Sequence, residues 1–304
     1  MYTKVEPFFL HSMTAVHAGS GSEVGLVDLP IQREQHTGHP KIEASSLKGA
    51  IRATAFGLQY NDEKKFQMTF GSEAKANRED ETFSSAVGFS DARTLLFPVR
   101  SAKGVFAWVT SPGVLARFTD ELLSFPQQLS EELEEQLNKL EIPEENTTSS
   151  KKLLHNGKLV LDQYTYEVQE NNFASKWAEW LDEQLKTRKG KQVIDKLVIL
   201  SDDNFTDFVK LSTEVNARIK IDYKTGIVDR GALWYEENLP AETVMYSLMF
   251  AGNVRAVDKQ LLDDYQTAED VVAFMKRDDV MPPVIQMGGN STLARGMMKK
   301  MWLV

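Results

Sequence analysis

The sequence contains no cysteine, which removes disulfides and thiolate zinc sites and makes a reducing cytoplasm its simplest home. It also lacks any apolar run near the ~20 residues that a membrane helix needs, so no membrane partner is expected. The opening "MYTKVEPFFLHS" has no basic segment followed by a hydrophobic stretch, and no secretory signal is visible. Nucleotide-binding fingerprints are absent too. "GSGSEVG" and "GGNSTLARG" match neither the P-loop nor the dinucleotide spacing, so a nucleotide cofactor has no support.

Positive charge is in short supply overall: 35 Lys and Arg face 44 Asp and Glu, a net −9. Polyanion binding depends on cations that neutralise phosphates, so this balance speaks superficially against nucleic acid. Its distribution weakens the objection, and charge alone decides nothing. Residues 120–145 hold nine acids and one base, which leaves about −1 for the rest of the chain. A local cationic groove is allowed.

What is present is an ordinary globular composition, 42% hydrophobic and 26% charged over 304 residues. "VEPFFLHSMTAV" reads as a strand, and "AVGFSDARTLLFPVRS" with "GVFAWVTS" as two strands of a hairpin. "SSLKGAIRATAFGLQ" is a helix with a serine cap in front, followed by the helical "PGVLARFTDELLSF" and the acidic "SEELEEQLNKLEI". "EENTTSSKK" reads as a polar linker and "GKLVLDQYTYEV" as one half-buried strand. "FASKWAEWLDEQLKTRKGK" is helical, and "KLVILSDDNFTDFVKLS" a strand running into a helix. "NARIKIDYKTGIVDRGALWYEENLPAE" carries a turn between two β-like runs, a β-hairpin. "TAEDVVAFMKRD" is a helix capped by Thr267, and the chain finishes as strand, glycine loop and basic segment. Strands alternating irregularly with helices predict an α+β fold.

Four stretches carry chemistry. Residues 19–40, with four glycines, two prolines and no sustained period, form a loop long enough to be functional or disordered. Within it Asp28 either shapes a turn beside Pro30 or presents a lone carboxylate to a divalent cation, a nucleophile or a proton. His17 precedes the loop as a hydrogen-bonder or an acid–base group. His36 and His39 have ligand-pair spacing, but the glycine between them makes a poor metal site.

In "SSLKGAIR", Ser45 and Ser46 read as a cap that leaves N–H groups open to an anion. Lys48 lies behind them, with Arg52 one turn on along the same face. A phosphate there, or a merely solvated basic face, accounts for the pattern. In "GGNSTLARG" the glycines Gly288 and Gly289, with Asn290, form a tight turn or a phosphate cradle. "ALWYEENLP" pairs Trp234 and Tyr235 with Glu236 and Glu237, a core cap or a base-stacking platform.

In order along the chain, "HAGSGSEVGLVDLPIQREQHTGHPKIEASSLKGAIR", "FSDARTLLFPVRSAKGVFAWVTSP", "GALWYEENLP" and "GGNSTLARG" resemble the RAMP-superfamily backbone subunits of type III-B CRISPR (Cmr) effector complexes. The resemblance implies a single domain over residues 1–304 with an RRM or ferredoxin-like βαββαβ core. It implies insertions near 17–42 (a catalytic loop), 115–190 (largely helical) and 216–238 (a β-hairpin thumb), with residues 71–90 an alternative thumb. Such subunits stack in several copies along a guide (CRISPR) RNA, together with other Cmr-type subunits, and act on single-stranded target RNA. Catalytic roles then fall on Asp28, His17 and one of Glu236 and Glu237, with Asp28 holding a divalent ion, Mg or Mn. RNA binding falls on Ser45, Ser46, Lys48, Gly49, Arg52, Arg218, Trp234, Gly288, Gly289 and Asn290. The expected function is guide-directed cleavage of target RNA by 2′-hydroxyl attack. A non-catalytic scaffold and a stand-alone phosphoester hydrolase using the histidine cluster are the alternatives.

Overall fold

The computed structural model describes residues 2–22, 25–58, 62–72, 84–186, 192–255 and 262–304. The chain runs β1 (Lys4–Ser12), β2 (Lys41–Ile42), α1 (Ala44–Gly57), α2 (Glu63–Phe70), β3 (Val87–Phe89), β4 (Ala92–Arg100), β5 (Phe106–Thr110), α3 (Pro112–Leu123) and α4 (Glu131–Asn138). It continues through β6 (Thr147–Thr148), β7 (Leu154–His155), β8 (Lys158–Leu161), β9 (Tyr164–Tyr166), β10 (Gln169–Glu170), α5 (Asn172–Leu185), β11 (Leu197–Ile199) and α6 (Asp202–Leu211). It ends with β12 (Glu214–Ile221), β13 (Val228–Asn238), β14 (Val244–Ala251), α7 (Ala268–Met275), β15 (Val284–Gln286) and β16 (Met297–Trp302).

Strand β1 organises the core because it is apolar on both faces. Phe9 packs on Phe118 and Trp180 on one side, and Phe8 on Phe89 and Trp302 on the other. All three residues Phe8, Phe9 and Leu10 are fully buried, so the strand must be central and covered on both sides. Its neighbours are β14, in register from Lys4↔Ala251 to His11↔Val244, and β16. Taken along the chain, β1, α1, β4, β14, α7 and β16 spell βαββαβ. The four strands lie as β16-β1-β14-β4, every adjacent pair antiparallel. That is the ferredoxin-like arrangement, and the α+β expectation holds. Beyond β4 the sheet continues through β5, β11, β6 and β10, and beyond β16 through β15. The expected cap of α7 is present: Thr267 and Asp270 form a reciprocal capping box.

Two local expectations are corrected. The polar run at 144–152 is not a linker, for Thr147, Thr148 and Ser149 are buried and β6 joins the main sheet. Hydroxyls make this tolerable: Thr148 donates to the Leu197 carbonyl (2.9 Å) and Ser149 to that of Ile194 (2.7 Å). The stretch 157–168 is a hairpin of β8 and β9 rather than one strand. It turns at Asp162, whose left-handed φ of 51° an aspartate accepts more readily than most residues.

The β12–β13 hairpin stands apart as its own two-stranded sheet. Asp222 Oδ1 accepts from the amides of Lys224 and Thr225 and from the Thr225 hydroxyl, and closes the turn at its tip. Cross-strand register puts Ala217 and Ile219 opposite Tyr235 and Leu233, while Asn216 and Arg218 oppose Glu236 and Trp234. One face of the ribbon is thus apolar yet exposed at Ile219, Leu233 and Tyr235. The other face carries Asn216, Arg218 and Glu236 with the half-buried Trp234 among them. The alternative thumb at 71–90 falls largely on residues outside those described. No helix among the described residues is long and apolar enough to cross a membrane.

Candidate active site at the base of the hairpin

The glycine-rich loop does not hang loose. Ser20 donates its amide to Pro30 O, Gln32 to Ala18 O and Lys41 to Gln32 O, so the described parts of the loop fold back on themselves. Its returning arm then lies along β13. The amides of Asp28 and Leu29 both donate to Tyr235 O, at 3.1 Å each, and the Glu237 amide donates to Leu29 O (3.0 Å). Asp28 Oδ2 accepts from the Tyr235 amide (2.7 Å), while Oδ1 has no donor among the described residues. Of the two readings of the loop, disorder does not fit its described parts: β13 offers an unpaired edge, and the arm satisfies it.

Glu237 fixes this docking. Its Oε2 accepts from the Ile31 amide (3.0 Å), and its Oε1 from Arg33 and from the Thr213 hydroxyl (2.8 Å). Both oxygens are thus engaged. The far end of the loop has a second anchor at buried Glu34, which accepts from Arg93, Arg117 and Thr37. Burial acts to raise the Glu34 pKa, but these donors and the two guanidinium charges hold it below the ordinary carboxylate value. His39 is buried beside it, with Nε2 on the Thr206 hydroxyl (2.9 Å) and its ring edge-on to Phe205. Burial pushes His39 down to about 4, so it is a neutral packing residue. His36 is exposed, and "QHTGH" forms no ligand pair.

His17 packs against the glycine loop. Its Nδ1 lies 2.7 Å from Glu237 O. A carbonyl only accepts, so Nδ1 carries the proton and Nε2 is the ring's open nitrogen. Glycines are required around it. A Cβ at Gly19 would stand 2.8 Å from Nε2, and one at Gly288, where φ is +78°, 2.2 Å from His17 O. The expected open phosphate cradle is corrected at Gly289, whose amide already donates to His17 O (2.9 Å).

Glu236, next to Glu237, points to the opposite face of the hairpin. Its Oε1 accepts from Asn290 (2.8 Å), Asn238 (3.2 Å) and Arg218 (3.3 Å), and Arg295 Nη1 approaches to 3.7 Å. Burial acts to raise the Glu236 pKa, but the bonds from Asn290 and Asn238, the nearby His17 and the bond from Arg218 hold it below the ordinary value. The carboxylate stays ionised. The structure thus gathers Asp28, His17, Glu236, Glu237, Arg218, Gly288, Gly289 and Asn290 at the foot of the hairpin. Trp234, half-buried, sits opposite Arg218. Sequence reasoning missed Arg33, Thr213, Asn238 and Arg295. Their only signal was a cation inside "IQRE" and another between the glycines of "GGNSTLARG".

Helix α1 departs from expectation at its start. The cap is Glu43 without a side-chain bond, and Asp91 from the neighbouring strand region takes the Ala44 amide (2.9 Å). An internal carboxylate thus already complements the helix dipole. Ser45, Ser46 and Gly49 are exposed on the helix. Lys48 turns inward to the Ser85 hydroxyl (2.7 Å) and Val87 O (3.0 Å); burial, then the charge of Arg52, lowers its pKa. Arg52 lies over the Phe66 ring at 5.9 Å. Gln32 bridges helix and loop by donating to Gly19 O and to the Ser46 hydroxyl.

Among the described residues no three His, Cys, Asp or Glu side chains converge on a common metal position. At the foot of the hairpin two carboxylate oxygens, Asp28 Oδ1 and Glu236 Oε2, have no donor among the described residues. That suffices for the ion class held by one or two carboxylates plus substrate phosphates.

The RAMP superfamily model matches residues 9–276. The chain belongs to the RAMP superfamily. A Pyrococcus furiosus relative, the CRISPR system Cmr endoribonuclease Cmr4, is 35% identical over 295 residues, covering 95% of this chain and 92% of that one. Among solved structures, oligomeric Cmr4 from the same organism is 28% identical, with a TM-score of 0.69 and coverage of 99% and 98%. A chain of the type III-B Cmr-beta complex bound to cognate target RNA is 24% identical with a TM-score of 0.76, again over 99% and 98%. That last likeness concerns the fold of this RAMP-superfamily protein.

Proposed function

We propose that this chain is a guide-RNA-binding backbone subunit of a type III-B CRISPR complex and an endoribonuclease that cleaves complementary target RNA. The observation that carries the reading is the convergence of Asp28, His17 and Glu236 at the foot of a projecting hairpin. It agrees with the name of the Pyrococcus relative. The complex acts in the cytoplasm and contains further copies of this chain and other Cmr-type subunits. Around α1, Ser45, Ser46, Gly49 and Arg52 follow the guide backbone without reading its sequence, and Lys48 joins them by turning out from Ser85 and Val87 O. The hairpin is the thumb that displaces a nucleotide, and Arg218 and Trp234 meet the RNA along the face they share.

RNA supplies its own nucleophile, the 2′-hydroxyl, so the protein has mainly to orient it. In-line positioning is worth roughly 7–11 kcal/mol in favourable intramolecular cases. His17 Nε2 takes the hydroxyl proton, its tautomer fixed by the bond from Nδ1 to Glu237 O. Asp28 is held at the strand edge with one oxygen open toward the target. It would hold a Mg or Mn ion together with phosphate oxygens, and that ion would supply neutralisation of charge on the phosphate.

The test is Asp28→Asn in the assembled complex with guide RNA. Target cleavage disappears while guide and target binding persist. Retained cleavage would remove Asp28 from the chemistry and leave the chain as a scaffold.

A further inference from the structure

The cluster around Glu236 sets two cations against one carboxylate and leaves polar atoms without partners. Two guanidiniums, Arg218 and Arg295, face one carboxylate oxygen, which leaves a net positive charge. Arg295 Nη1 is buried and has no hydrogen-bond acceptor; Asn238 Oδ1 and Asn216 Nδ2 are likewise buried and unpaired. Unsatisfied buried polar groups are destabilising and call for a missing partner. The backbone that delivers Arg295 is also strained. Asn290 and Ala294 both adopt left-handed φ, 61° and 55°, on either side of a single short turn. An alanine has no side-chain bond to compensate such a conformation, and strain of this kind gathers at functional sites. Yet Arg295 and Arg218 keep 20% and 25% of their side chains exposed, so the pair borders solvent although Nη1 itself is covered.

We propose that Arg295, paired with Arg218 and held by Glu236 as a positioning residue, binds the scissile phosphate of the target strand. The assignment rests on the endoribonuclease reading and extends it to the atoms that stabilise the transition state. As the 2′-oxygen bonds to phosphorus and the bond to the 5′-oxygen breaks, charge builds on the non-bridging oxygens. The 2′-hydroxyl proton leaves to His17 Nε2 and a proton from solvent water reaches the departing 5′-oxygen, giving a 2′,3′-cyclic phosphate and a 5′-hydroxyl. A planar guanidinium with an unused N–H suits those oxygens, and the neighbouring carboxylate keeps it from turning away. Glu236 is thereby neither the acid nor the base.

The experiment uses the full complex loaded with guide RNA, under single-turnover conditions and saturating target. Arg295→Ala slows cleavage about 100-fold, the loss typical of one preorganised charge-stabilising donor, while target binding stays within twofold. Arg295→Lys, which keeps charge and fold, recovers at least about tenfold of that loss. Targets with sulfur in place of either non-bridging oxygen at the cut site provide the readout that a structural role would not move. The wild type discriminates between the two, and both Arg295 variants discriminate less. Cleavage by Arg295→Ala within threefold of wild type, or unchanged sulfur discrimination in the lysine variant, overturns the assignment. Asp28→Asn run beside them separates the two ideas. Its failure to block cleavage defeats the endoribonuclease reading, whereas blocked cleavage beside an active Arg295→Ala defeats only the phosphate assignment.

Discussion

Glu236 and Glu237 are neighbours on one strand, both buried and both expected from the sequence to be alternatives for a single role. The pleat sends them to opposite faces, and their partners differ in kind. Glu237 receives an amide, a hydroxyl and a guanidinium on its two oxygens, all from segments it binds together. Glu236 draws its donors onto one oxygen, and its surroundings keep unpaired groups. A saturated buried carboxylate is a fastener; the unsaturated cluster is what the phosphate assignment rests on. The difference lies in hydrogen-bond satisfaction, not in residue type.

The largest expected effect comes from breaking the fastener. Glu237→Ala leaves the mostly buried Arg33 with carbonyl partners but no carboxylate and strands the Ile31 amide, at a cost of about 3 kcal/mol of unfolding free energy read from denaturant titration. It also releases the Asp28 arm, so cleavage falls with stability. A midpoint unchanged by this variant would erase the contrast between the two glutamates.

The second anchor of the same loop is sensitive to acid. The folded His39 titrates near 4, below the ordinary 6.5. Between those values the unfolded chain binds a proton that the folded chain refuses. Stability is therefore complete above pH 6.5 and falls as pH drops toward 4, by roughly 3 kcal/mol. Unfolding midpoints at pH 7 and pH 5 for the wild type and for His39→Gln check this. The variant should have the flatter profile.

The smaller effect concerns the site glutamate. Glu236→Gln keeps an acceptor for Asn290 but loses the charge that orders two guanidiniums. Cleavage falls about tenfold, ~1.4 kcal/mol at the barrier, with an unfolding midpoint shifted by less than about 1 kcal/mol. A large stability loss with full activity would make Glu236 a fastener like its neighbour.

The fold was legible wherever periodicity met local chemistry. The strand at "PFFL", the helix in "SSLKGAIRATAFGLQ" and the terminal strand could be read from their residues, and the hairpin was announced by its turn, whereas the βαββαβ order came only from the family resemblance. The buried β6 was not legible, because Thr and Ser resemble a linker until their hydroxyls find carbonyls across the chain. The helix cap was misread for a related reason: Asp91 caps α1 from some fifty positions away in sequence. In the site, Asp28, His17 and the glutamate pair stood out as chemical groups in glycine-rich or aromatic settings. Arg33 and Arg295 did not. A single arginine carries no periodicity, and only the tertiary fold brings these two to the glutamates.

The account depends on the target's own ribose as the nucleophile, with the protein supplying orientation and charge. Its most direct measurement is cleavage of a complementary RNA that carries one 2′-deoxynucleotide immediately 5′ of a cut site, in the complete guide-loaded complex. The account predicts that this cut alone disappears while the other cuts continue and end in 2′,3′-cyclic phosphate. Undiminished cutting at the deoxy position would contradict it.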